Sequence, residues 1–156
     1  MAQDSPGSEC GVCTSIAHPA QPLFENDLWH VRHSAPPYGV AGWMMLITRR
    51  HVLSPAQFSD REAASFGPTL RHLQQTLLAV TGALRIYIAA MSESWPHFHC
   101  HLVPRYGAMP KDAKGWSVFD LQRAAAAGEI TVGSGEAERA SAVYAEALRT
   151  SPPPRP

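Results

Sequence analysis

The chain has 156 residues, 45% of them hydrophobic, which fits one domain with a real core. Thirteen basic residues balance thirteen acidic ones. No overall basic field exists to hold a nucleic-acid polymer, whereas a small anionic ligand needs only a local site. No apolar run approaches the roughly 20 residues of a membrane span, so no membrane partner is expected.

The opening residues lack a basic stretch followed by an apolar one and do not read as a secretory signal. A cytoplasmic location is the expectation. Residues 1–9 read as a flexible N-terminus. Cys10 and Cys13 then stand in Cys-x-x-Cys spacing. In a reducing compartment that spacing favours a metal or redox pair over a structural disulfide.

Residues 28–32, Leu-Trp-His-Val-Arg, are rich in aromatic and β-branched types and predict a strand. Pro36-Pro37-Tyr38-Gly39 predicts a turn. Residues 43–47 are continuously apolar, as in a strand buried on both faces. Ser59 with Glu62 three residues later forms a capping-box signature. Phe66, Leu70, Leu73 and Leu77 follow at helical spacing, and Gly82 supplies a stop. Gly67-Pro68 predicts a kink or split in this main helix.

Two further strands are predicted over residues 84–90 and 98–103, and two short helices over 119–127 and 136–148. The tail, Ser-Pro-Pro-Pro-Arg-Pro, cannot be helical and reads as a loose end. Strands come mostly in succession, with few helical crossovers. That order predicts an α+β fold: an antiparallel sheet of about five strands, one main helix and extra C-terminal helices. The expected organisation is a domain over residues 10–108, a helical extension over 109–149 and a disordered tail over 150–156.

Within the strand at 98–103, His97, His99 and His101 alternate with Phe98, Cys100 and Leu102. Residues two apart in a strand share a face at about 6.5–7 Å. The three imidazoles therefore project together, and the apolar partners, Cys100 among them, project into a core, where Cys100 is expected to be inert. Two chemistries suit such a face. Alternating histidines can chelate a catalytic metal. Alternatively, one neutral imidazole attacks phosphorus while its neighbours orient it and stabilise charge.

The run His97-Phe98-His99-Cys100-His101-Leu102-Val103 resembles the signature of the histidine triad family, as does the Pro104-Arg105 that follows it. Gly42-Trp43-Met44-Met45-Leu46-Ile47-Thr48-Arg49-Arg50-His51-Val52 is similar to that family's buried strand ending in a basic pair and a histidine. The resemblance covers roughly residues 8–108. It implies a nucleotidyl hydrolase or transferase acting on dinucleoside polyphosphates, nucleoside phosphoramidates or related nucleotides, and a homodimer.

Carried over residue by residue, the resemblance makes His99 the nucleophile, His101 a phosphate partner and Ser94 a donor to the leaving group. It makes Cys10, Cys13, His51 and His97 the ligands of a structural zinc. Two positions depart from the pattern. Trp43 stands where a histidine is usual, and Glu93 where a phosphate-contacting glutamine is usual. Both are assigned to the substrate-binding region together with His33, which neighbours the expected sugar contact; Arg32 lies beside it.

Overall fold

The computed structural model describes residues 10–17 and 22–155; the expected flexible N-terminus, residues 1–9, lies outside them. Five strands form one antiparallel sheet: β1 (Phe24–Glu25), β2 (Trp29–His33), β3 (Met44–Thr48), β4 (Arg85–Ala89) and β5 (His99–Arg105), in the order β1-β2-β3-β5-β4. Four α-helices accompany it: α1 (Gly11–Ala17), α2 (Asp60–Thr81), α3 (Val118–Ala126) and α4 (Ser134–Thr150). The α+β expectation is met. No helix among the described residues is long and apolar enough to cross a membrane.

The central strand pair explains the placement of the histidines. Met45 lies opposite His101 and Ile47 opposite His99, so both histidines share a face with Met45 and Ile47. Cys100 and Leu102 turn the other way. They join Trp29, Val31, Met44, Leu46 and Phe98 in the main core, which the Leu73–Leu77 face of α2 covers. Burial pushes the Cys100 thiol up to about 12, so it carries no nucleophilic thiolate at neutral pH.

Helix α2 begins at a complete capping box. The Ser59 hydroxyl accepts from the Glu62 N–H, and the Glu62 carboxylate accepts from the Ser59 N–H at 2.6 Å. It ends at Gly82, whose φ of +63° is a left-handed cap. The expected break at Gly67-Pro68 is absent as a split, because α2 runs unbroken through Pro68. Gly67 and Pro68 lie on the exposed side, where solvent can satisfy the Ala64 carbonyl that Pro68 cannot serve. Ser65, Thr69 and Leu73 pin the opposite side against the sheet.

Helix α4 extends the core. Tyr144 and Leu148 are fully buried, and the Tyr144 hydroxyl donates to the Leu73 carbonyl at 3.0 Å. The Pro-rich tail, expected as a loose end, lies against this body: Pro153 is buried, and His72 Nε2 is 2.8 Å from the Ser151 carbonyl.

Candidate functional site

Each triad histidine has a different hydrogen-bond environment, and that difference fixes its proton. His99 Nδ1 lies 2.8 Å from the carbonyl oxygen of His97. A carbonyl only accepts, so Nδ1 carries the hydrogen and the lone pair stands on Nε2. His101 has the opposite form. Trp43 Nε1 donates to His101 Nδ1 at 3.1 Å. Indole N–H is a donor only, so the neutral His101 carries its hydrogen on Nε2. The two rings stand 5.0 Å apart and nearly perpendicular. One presents a lone pair and its neighbour an N–H.

Burial pulls the His101 pKa down to about 4, with help from neighbouring His99. The ring packs edge-on against Trp43 and Phe119, at 5.7 and 5.6 Å. Phe119 comes from α3, so the C-terminal extension covers the site within the same chain. A clamp holds it there. The Gly39 N–H donates to Gln122 Oε1 at 3.0 Å, and Gln122 Nε2 donates to the Pro37 carbonyl at 2.6 Å. A Cβ at Gly39 would meet the Gln122 backbone N at 2.6 Å, so only glycine permits this approach.

His97 meets a different set of partners. Its Nε2 is 2.7 Å from the Thr48 carbonyl, which places the hydrogen on Nε2 and frees the Nδ1 lone pair. That Nδ1 lies 3.3 Å from Cys13 Sγ and 3.7 Å from Cys10 Sγ, while Cys13 Sγ is 3.4 Å from His51 Nδ1. All four ligand atoms fall within 4.8 Å of one another. A tetrahedral zinc with ordinary Zn–S and Zn–N bonds separates S and N by about 3.6 Å. The donor set and its spacing therefore fit zinc. Burial and the Cys10 sulfur push the Cys13 thiol up to about 11, a penalty that a divalent cation reverses by holding the thiolate.

Helix α1 carries this arrangement, and its sequence signal was too short to read. Seven residues give no helical period, yet Cys10 and Cys13, three apart, meet on one turn. Val12 and Ile16 on the same helix bury against Ile47. The two-residue strand β1 escaped notice for the same reason of length.

A cavity of about 580 Å³ opens beside His99 and His101, lined also by Arg32, Trp43, Ser94 and Trp95. Ser94 thus shares the cavity with the two histidines. Glu93 is exposed and does not line it, so no carboxylate opposes an incoming phosphate there. His33 is also outside the lining. Its Nε2 accepts from the Gly42 N–H at 2.9 Å and its Nδ1 is 3.0 Å from the Ser34 carbonyl, which ties down the β2–β3 connection. Burial lowers its pKa. A second hollow of about 450 Å³, between β1 and the tail, contains none of these histidines.

Known structures share this architecture. A zinc-bound histidine triad family protein from Mycobacterium smegmatis superposes with a TM-score of 0.65 at 14% identity, covering 91% of this chain and 94% of that one. The chain has the histidine triad fold. A hypothetical histidine triad nucleotide-binding protein from Sulfolobus tokodaii gives a TM-score of 0.65 at 12% identity, over 90% and 93% of the two chains. A histidine triad protein from Sinorhizobium meliloti gives 0.62 at 18% identity, over 81% and 88%. No protein-family model matches the sequence, and no curated protein matches it.

Proposed function

We propose that the protein is a nucleotide phosphohydrolase or nucleotidyl transferase that works through a covalent nucleotidyl-His99. The observation that carries this reading is the His99 Nδ1 contact to the His97 carbonyl, which leaves Nε2 unprotonated on a ring that lines the cavity. In the first step His99 Nε2 forms a bond to the α-phosphorus as the bond to the leaving group breaks. The departing group keeps the electron pair, and Ser94, which lines the same cavity, donates a hydrogen bond to it. In the second step water or another acceptor attacks phosphorus and the P–N bond breaks, returning neutral His99. His101 Nε2–H donates to a phosphate oxygen throughout.

Zinc, held by Cys10, Cys13, His51 and His97, is structural in this reading. It ties α1 to the start of β5 and takes no part in the chemistry. Homodimer formation through β4 is part of the same reading. That strand is one of the sheet's two edges, and Ile88 and Leu84 are exposed on and beside it.

Trp43 favours a second reading, a nucleotide-binding module with little or no turnover. Its N–H cannot accept a proton, so it offers His101 no relay. The deciding experiment offers several nucleotides to the wild type and to His99→Ala and His99→Asn. It follows turnover and seeks a nucleotidyl-His99 adduct by mass spectrometry. Multiple turnovers lost on His99 replacement are expected. Full activity in folded His99→Ala would reject covalent catalysis, and binding without turnover on every substrate would select the second reading.

A further inference from the structure

Arg32 differs from Arg49 and Arg50, the two arginines that follow β3. Arg49 is paired with Glu25, and Arg50 with Glu62. Arg32 has no carboxylate partner among the described residues, and its buried Nε has no hydrogen-bond acceptor. Its side chain nevertheless lines the cavity that holds His99 and His101, and no Asp or Glu is among the lining residues. A half-buried guanidinium without a counter-ion is unfavourable, and burial alone depresses its pKa. The favourable complement is an oxyanion that the guanidinium fork can grip with two parallel hydrogen bonds.

The sheet register says which oxyanion. Arg32 lies opposite Met45, and Met45 opposite His101, so Arg32 and His101 occupy one row across three strands. Two interstrand spacings separate their backbones by about 9.5 Å. The Arg32 fork is thus set two strands to the side of His101, and both line one cavity of about 580 Å³, room for a nucleotide-sized molecule.

We infer that Arg32 receives a second phosphate of the substrate, distinct from the one His99 attacks. The inference rests on the nucleotide reading above and narrows it to substrates with at least two phosphate groups. The second phosphate sits either further along the polyphosphate chain or on the sugar. Arg32 acts as a specificity determinant, and it takes no part in bond making.

The test is calorimetric binding of AMP, ADP and adenosine 3′,5′-bisphosphate to the wild type, Arg32→Gln and Arg32→Lys. One charged hydrogen-bonded pair corresponds to about 10–100-fold in affinity. The wild type is expected to bind one of the two bisphosphates at least about tenfold tighter than AMP. Tighter ADP binding places the second phosphate on the chain, and tighter 3′,5′-bisphosphate binding places it on the sugar. Arg32→Gln is expected to erase that margin while AMP binding changes by no more than about threefold. Should Arg32→Gln fail to fold by circular dichroism, Arg32→Lys reads the same margin, expected to shrink several-fold with the loss of the fork. Equal binding of all three ligands by the wild type, or a margin that survives in Arg32→Gln, would overturn the inference. If AMP binds without a margin, only the Arg32 role fails. If no nucleotide binds at millimolar concentration, the nucleotide reading fails with it.

Discussion

Trp43 Nε1 and His101 Nδ1 lie 3.1 Å apart, and this bond gives the third histidine its chemical character. A donor-only partner holds His101 as the Nε2–H form, the reverse of His99 two residues before it. The same strand face therefore offers a nucleophile and a hydrogen-bond donor side by side.

Replacing Trp43 by Phe removes the donor and keeps an aromatic ring. Nδ1 of His101 then loses its fixed role, and the ring samples both neutral forms. One neutral hydrogen bond corresponds to about 1 kcal/mol, so kcat is expected to fall about fivefold. Trp43 is buried, and the smaller ring is expected to cost a further 1–2 kcal/mol of stability, roughly. Kinetics with denaturant melts separate the two effects. Unchanged kcat would show that the bond does not organise the reaction.

Stability should depend on pH through His101. Its folded pKa is about 4, lowered by burial and by His99, against about 6.5 in an unfolded chain. Between those values the unfolded state binds the proton and the folded state does not. Stability is thus full above about pH 6.5 and declines as pH falls toward 4. Roughly 1–3 kcal/mol is at stake, allowing for the partial exposure of the ring. Urea melts of wild type and His101→Asn at pH 4.5 and 7 should show a smaller pH difference in the variant. Equal differences would contradict the buried, neutral His101.

Purified protein should contain about one zinc per chain, measured by elemental analysis without chelators. Cys13→Ser should lose it, because Cys13 Sγ lies within 3.4 Å of both His51 and His97 ligand nitrogens. Chelation should lower the melting temperature, since a ligand present at about 100 times its Kd contributes about 2.7 kcal/mol. Residual turnover per folded molecule should survive. Complete loss of activity at a temperature where the protein stays folded would instead assign the metal to the chemistry.

Much of this was legible in the residue pattern. The alternation His97 to Leu102 correctly divides a histidine face from a core face, because side chains in a strand alternate with no tertiary help. The Ser59–Glu62 box and Gly82 bracket α2 for equally local reasons. Contacts made across the fold were not legible. Phe119 over His101, and Gln122 clamping Pro37 and Gly39, join residues far apart in the chain and leave no periodic trace. The resemblance puts His33 beside the sugar contact and Glu93 at a phosphate-contacting position. One is occupied by the Gly42 backbone and the other faces solvent, which only the packing reveals. Arg32 became conspicuous once Arg49 and Arg50 proved to be paired.

The division of labour among the three histidines can be observed directly. Two-bond proton–nitrogen correlation on protein with ¹⁵N-labelled histidine, at pH 7 and with zinc bound, reports which ring nitrogen carries each hydrogen. The expected pattern is Nδ1–H for His99, Nε2–H for His101, and Nε2–H with a metal-bound Nδ1 for His97. His99 found in the Nε2–H form would contradict the account, because the lone pair required for attack on phosphorus would then face the His97 carbonyl instead of the cavity.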